Sequence, residues 1–334
     1  MYIVDSYSIA VVFCVITMLG WGSWANTLKM TSKKWEFPLY YWDYSIGLVL
    51  VALIFGLTLG SSGDAGRSFL ADLGQADTRA LGSAFLGGVI FNLSNLLIVA
   101  ATAIAGMSVA FPIAVGLALV IGVVVNYIAT PLGNPWILFG GLVLVVLAII
   151  IDATAYRRLP QENKGEQKKG IIISILSGIL MGFFYRFVAA SMTTDFAVPD
   201  AGLLSPYSAM FVFTCGIFIS NFIINTWFMY KPVAGKPVGY RDYFRTGTPR
   251  LHLVGILGGL IWCTAMEFNL IASEQAGFAI SYGLGQGATM ISAAWGVFVW
   301  KEFSGAPRGT GKMLAAMFAL FIIGLSLIVI ARLN

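Results

Sequence analysis

The stretch "IWCTAMEFNLIASEQAGFAISYGLGQG", residues 261 to 287, carries a carboxylate where the surrounding residues are fit for oil. An ionised acid in such a place costs several kcal/mol unless it is paired, protonated or wetted. At about 1.5 Å of rise per residue, Glu267 lies roughly 24 Å from the start of its helix, and Arg186, in "MGFFYRFVAAS", falls at a similar depth. Glu267 can therefore take up a proton, or the two charges can shape one wall of a cavity. A structural ion pair, or an acid facing vestibule water, accounts for them equally well. Three amides form a second group. Asn92 and Asn95, three residues apart, share a helix face, and Gln286 sits between Gly285 and Gly287, where little side chain shields it. Amides donate and accept together, which suits neutral hydroxyl-rich or amide-rich solutes; bonding between helices is the structural alternative. Aromatics complete the set: Trp21 and Trp24 in "GWGSWAN", Phe111, Tyr282 and Trp262. Their flat rings can cover a sugar or stack on a nucleobase, or they can simply face lipid.

These residues are embedded in a chain of 334 residues that is 58% hydrophobic and 10% charged, which excludes a water-soluble globule. Ten runs reach the roughly 20 apolar residues a spanning helix needs: about 8–29, 40–61, 80–104, 107–130, 135–155, 170–191, 206–229, 251–274, 277–300 and 311–332. The net charge of +5 does not point to nucleic acid, because the basic residues gather in alternate loops. One side holds Lys29, Lys33, Lys34, Arg157, Arg158, Lys164, Lys168, Lys169, Lys231, Lys236, Arg241, Arg245, Arg250, Lys301, Arg308 and Lys312. The other holds Arg67, Arg79 and Arg332, so both termini are expected outside the cytoplasm. Asp43, close to the start of its helix, reads as a hydrated acid at a positive helix end.

No Ser-His-Asp set, paired acids or His/Cys cluster is present in the sequence, so neither an enzyme, a metal nor a cofactor is expected. Cys14, Cys215 and Cys263 all fall inside spans and read as small buried side chains.

"LGGVIFNLSNLLIVAATAIAGMSVAFPIAVG" (86–116) and "LGGLIWCTAMEFNLIASEQAGFAISYGLGQG" (257–287) repeat at a spacing of 171 residues, with L-G-G, A-G and the last Gly in register. Five helices per half make the second copy enter the membrane in the opposite sense, the inverted repeat of secondary transporters, which hold solute near the midplane. The expected fold is thus all-α and polytopic: ten transmembrane helices as two inverted five-helix repeats, residues 1–155 and 170–334, joined by a basic linker at 156–169. Gly87-Gly88, Gly140-Gly141 and Gly258-Gly259 are expected at close helix crossings.

The ten spans, the repeat and "AAWGVFVWKEF", with Glu302, resemble the drug/metabolite transporter superfamily. Within it the opening "MYIVDSYSIAVVFCVITMLGWGSWANTLKM", then "YYWDYSIGLVLVALIFGLTLG", "GGVIFNLSNL" and "QAGFAISYGLGQGATMISAAWGVF", resemble the ureide permease family over most of the chain. That kinship implies proton-coupled uptake of small neutral metabolites, ureides and nucleobases in the plant members. The plant pattern carries acids at the places of Phe111 and Tyr282 and none at Glu267. "GMSVAFPIAVGLALVIG" (106–122) is similar to the fourth helix of the glucose/ribose uptake porters and to that of the rhamnose–proton symporters. The expectation is therefore import of a monosaccharide such as ribose, glucose or rhamnose across a bacterial cytoplasmic membrane, by proton symport with alternating access. Gln286, Asn95, Asn92, Trp24, Trp21, Phe111, Tyr282 and Trp262 are expected to bind it, with Glu267 and Arg186 at the proton. A ureide or nucleobase symporter is the alternative, and a drug or metabolite exporter a third reading. The partners expected are the small solute and the lipid bilayer, and a homodimer is compatible with the sequence.

Overall fold

Helices begin where the sequence supplies caps. The computed structural model describes residues 1–31, 35–159, 167–233 and 235–333; Lys33, Lys34, Lys164 and the middle of the basic linker lie outside them. In chain order the helices are α1 (Tyr7–Ser23), α2 (Ala25–Lys29), α3 (Phe37–Leu57), α4 (Phe69–Gln75), α5 (Thr78–Ala105), α6 (Met107–Ala129), α7 (Pro135–Tyr156) and α8 (Gln167–Ser191). There follow α9 (Pro206–Asn221), α10 (Ile224–Tyr230), α11 (Tyr240–Thr246), α12 (Pro249–Ala276), α13 (Phe278–Gly285), α14 (Ala288–Ala294) and α15 (Thr310–Ala331). Ser6, Asn134, Ser205 and Thr248 accept hydrogen bonds from the first free amides of α1, α7, α9 and α12. Proline fills the first turn of α3, α7, α9 and α12, where its missing N–H costs nothing.

Among the described residues nine helical segments are long and apolar enough to cross a membrane. The run expected as a continuous helix at 277–300 is instead broken into α13, α14 and a π-helical turn, Trp295–Val299. The break falls at Gln286 and Gly287, where two glycines flank the amide and helix propensity is lowest. Among the described residues nine of the ten expected spans are therefore helical segments long enough to cross, and the one at 277–300 is interrupted.

α5 and α12 each have 28 residues, and both of their bounds differ by the 171-residue spacing of the repeat. Each ends in a glycine with positive φ, 80° at Gly106 and 83° at Gly277, which permits the turn into α6 and α13. α5 packs on α8 and α9, and α12 packs on α1 and α3; α6 lies on α8, α13 contacts α6 and α1, and α7 pairs with α15. Close approach is concentrated at small residues. A Cβ on Gly259 would stand 2.1 Å from the Tyr44 carbonyl, and one on Gly88 2.1 Å from the Phe213 carbonyl. The Gly-Gly pairs are not uniform, however. Gly141 abuts Gly324, whereas a Cβ on Gly140 would meet nothing within 4 Å.

Asp43 is not the hydrated acid its position suggested. It is 1% exposed, with Nδ1 of His252 at 2.9 Å and 3.0 Å from its two oxygens and the Tyr243 hydroxyl donating to Oδ1. The cluster ties α11 to α3 and α12. Burial and the neighbouring Asp43 push the Tyr243 phenol well above its ordinary value. On the opposite side of the bundle Arg67 donates to Asp72 and to the carbonyls of Pro199, Asp200 and Leu203. Asp72, fully buried, also accepts from the Ser205 amide that begins α9.

Candidate functional site: an uncharged aromatic cavity

A cavity of about 440 Å³ opens between the two halves, within the size range of small-molecule sites. Trp21 and Trp24 reach it from α1 and the α1–α2 bend, Asn95 from α5, Phe111 from α6, Trp262 from α12 and Gln286 from the α13–α14 break. Six of the eight expected solute-binding residues thus meet in one place. Phe37, Phe91 and Phe184 add further ring faces, none of which the sequence singled out. Phe184 sits two residues before Arg186 on α8, and the charge at Arg186 drew the sequence reading away from it.

The aromatic wall is ordered. Trp21 and Trp262 stack at 5.7 Å with 16° between their planes, and Phe91 packs 4.5 Å from Trp262. Polar groups converge on this wall. The Gln286 side chain makes no hydrogen bond among the described residues, and the buried Trp21 Nε1 has no acceptor. Asn95 spends Nδ2 on the Tyr41 hydroxyl at 3.3 Å, which leaves its carbonyl oxygen for a solute. Thr102, Thr289 and Ser292 donate to backbone carbonyls and keep acceptor lone pairs for the cavity. No charged side chain lines the cavity among the described residues.

Asn92 and Tyr282 stand elsewhere. Asn92 is buried and donates to the Ser220 hydroxyl at 2.7 Å, bonding α5 to α9. Tyr282, also buried, donates to the carbonyls of Ala118 and Met181. The matched aromatic positions of the repeat therefore split: Phe111 lines the cavity and Tyr282 braces the helices around it. Glu267 is fully buried, and neither of its oxygens has a hydrogen-bond partner among the described residues. It does not line the cavity, and among the described residues it forms no ion pair with the half-buried Arg186. A shared depth did not bring the two together, because the rotation of each helix about its own axis decides which face a side chain takes.

Beyond Phe111 the cavity adjoins a smaller space of about 110 Å³, sharing Ala25, Phe111, Val115, Thr289 and Ser292 with it. Here Lys29 Nζ donates to Oε1 of Glu302 at 2.7 Å, and the Tyr156 hydroxyl to Oε2 at 3.0 Å. Asp152 lines the same space.

A ureide permease family model matches residues 40–169 and 163–331. The chain belongs to the ureide permease family. It is 23% identical to ureide permease 1 of Arabidopsis thaliana, with 98% of each chain covered. It is 28% identical to the "Probable ureide permease A3" of Vigna unguiculata, over 92% of this chain and 99% of that one. The "Probable glucose uptake protein GlcU" of Priestia megaterium is 25% identical but shares only 68% of either chain. A solved crystal structure covers 98% of this chain, and 99% of its own, with a TM-score of 0.59 at 18% identity, a likeness of fold. The protein is a multi-pass membrane transporter of the ureide permease type, not an enzyme. The sugar expectation is corrected accordingly, since the full-length likeness is to ureide permeases and the likeness to a glucose porter is partial. Nor do these plant relatives support the bacterial cytoplasmic membrane expected from the sequence.

Proposed function

We propose that this ureide permease family member imports a small, planar, neutral solute rich in N–H and C=O groups, of the ureide or nucleobase kind, by symport with a cation, expected to be the proton. The observation that carries this is the cavity itself: ring faces on its walls, free amides and an unpartnered indole N–H on its polar side, and no charge. A sugar would present hydroxyls all round its ring. A ureide or nucleobase presents two apolar faces and a polar edge, which matches the division of this wall. An ionised drug would find no counter-charge here, which disfavours the exporter reading.

Residues 278–299 act in this reading as a tenth, broken span, and the halves as inverted repeats. The identical offset of α5 and α12, their glycine ends, and the paired packing of α5 on α8 and α12 on α1 support it. The broken span brings backbone and an amide to the solute at once, as discontinuous helices of carriers do. With both termini outside, the cavity runs from Gln286 towards Leu28, Phe37 and Thr102 at the basic side, an inward-open arrangement. Because a neutral solute gains nothing from the membrane potential, accumulation requires the co-transported cation.

The test is stabilisation of the purified protein against heat by allantoin, uracil, ribose, glucose and rhamnose, since a ligand of the folded state raises its melting temperature. A rise with allantoin or uracil, smaller at the same concentration in Gln286→Ala, is expected. A rise with sugars alone refutes the proposal.

A further inference from the structure

The smaller space beyond Phe111 holds four ionisable side chains from three elements: Lys29 from α2, Asp152 and Tyr156 from α7, and Glu302 from the loop after the π-helical turn. Phe111, Pro112 and Val115 of α6, and Thr289, Ser292 and Trp295, face them and bring no charge. The charges do not cancel. Glu302 has both oxygens satisfied, by Lys29 and by Tyr156, and Lys29 also lies 5.0 Å from the Trp300 ring. One positive and one negative charge are thereby spent on each other. Asp152 remains, one turn before Tyr156 on the same helix face, with a buried Oδ1 that no group among the described residues bonds. Gly296 makes the approach possible, since a Cβ there would stand 2.8 Å from the Tyr156 hydroxyl and 2.9 Å from Glu302 Oε2.

We propose that Asp152 is the acid that carries the coupling proton, held beside the Lys29–Glu302 pair in a space that shares a wall with the solute cavity. A carboxylate with one buried oxygen that no described group bonds is best neutralised by the smallest cation, and the neighbouring Glu302, already spoken for, adds to the demand. The proton arrives from water on the outer side and binds an Asp152 oxygen. The carboxyl, now neutral, crosses the cycle with the solute, and the same proton leaves to water on the inner side, restoring the carboxylate. Phe111 and Thr289, which border both spaces, give the link through which solute occupancy and proton occupancy feel each other. Glu267, by contrast, lies away from both spaces.

The proposal rests on the symport reading above, and its test separates the two. Proteoliposomes one pH unit more acidic outside are loaded with radiolabelled allantoin or uracil; one-to-one coupling sustains about tenfold accumulation. Asp152→Asn is expected to bring accumulation down to one while keeping solute-for-solute exchange, which also reports that the variant is folded. Tenfold accumulation retained in Asp152→Asn, or its loss in Glu267→Gln with Asp152→Asn unaffected, overturns the proposal. A second readout needs no solute. Infrared difference spectra of the purified protein across a pH step should contain a carboxyl band that Asp152→Asn removes, and a band unchanged in that variant also overturns it. If the wild type neither binds nor exchanges either solute, the symport reading falls, and the infrared band still decides where the proton sits.

Discussion

Adjacent glycines on α7 should respond to the same substitution with opposite signs. A methyl group at position 141 would stand 2.6 Å from the Gly324 carbonyl oxygen, 3.0 Å from Ile328 Cγ1 and 3.1 Å from the Ile328 amide. Two of those three atoms are backbone of α15, so relief requires moving a whole helix by several tenths of an ångström. Overpacking of that kind costs about 1–3 kcal/mol. At Gly140, which is exposed and would meet nothing within 4 Å, the methyl touches only the helix's surroundings, and replacing glycine in a helix interior gains at most about 1 kcal/mol. The propensity gain applies at both positions and cancels, so Gly141→Ala is expected to be less stable than Gly140→Ala by the overpacking cost alone, about 1–3 kcal/mol. Thermal unfolding of each variant in the same detergent reads the difference, with Gly141→Ala melting below wild type and Gly140→Ala at or above it. Equal melting temperatures would refute the α7–α15 contact as described. So would a loss confined to Gly140→Ala.

Gln286→Ala and Asn95→Ala each remove a hydrogen-bonding group from the cavity, so the affinity for the accepted solute should weaken by about 0.5–1.5 kcal/mol each, roughly two- to twelve-fold, in equilibrium binding. Removing Arg67 leaves the buried Asp72 without its guanidinium, a loss of about 3–5 kcal/mol for a buried pair; Arg67→Ala should unfold at lower temperature, and limited proteolysis should cut first within residues 192–205. Tyr243, whose phenol is raised by burial and by Asp43, favours the neutral form in the folded protein. Its contribution to stability is full below the ordinary tyrosine range near pH 10 and is lost as pH climbs through the raised value; the stability advantage of wild type over Tyr243→Phe should be constant below about pH 10 and shrink above it.

Hydropathy alone yields ten apolar runs, nine of which are spanning helical segments among the described residues, because in lipid each helix must satisfy its own backbone and advertise its length as an apolar run. The cavity residues were legible for a related reason: amides and paired tryptophans in such runs carry a desolvation cost, which makes them stand out. Rotation was not legible. Asn92 and Asn95 share a face by count, yet one bonds Ser220 and the other reaches the cavity, a difference set by how α5 sits on α9. Asp43 is 200 residues from Tyr243 and 209 from His252 along the chain, and nothing local announces that they meet. Asp152 lies near a helix end with no local signal of burial, and only the packing of α1, α2, α6 and residues 289–302 against α7 encloses a small space around it.

The stacked indoles of Trp21 and Trp262 bear on how this protein can be watched. Rings 5.7 Å apart and nearly parallel couple their electronic transitions, and one of them belongs to each half of the chain. Any movement of the halves against each other changes that coupling. The emission and near-ultraviolet dichroism of the unlabelled protein should therefore follow the transport cycle in real time, with no dye attached and no residue replaced.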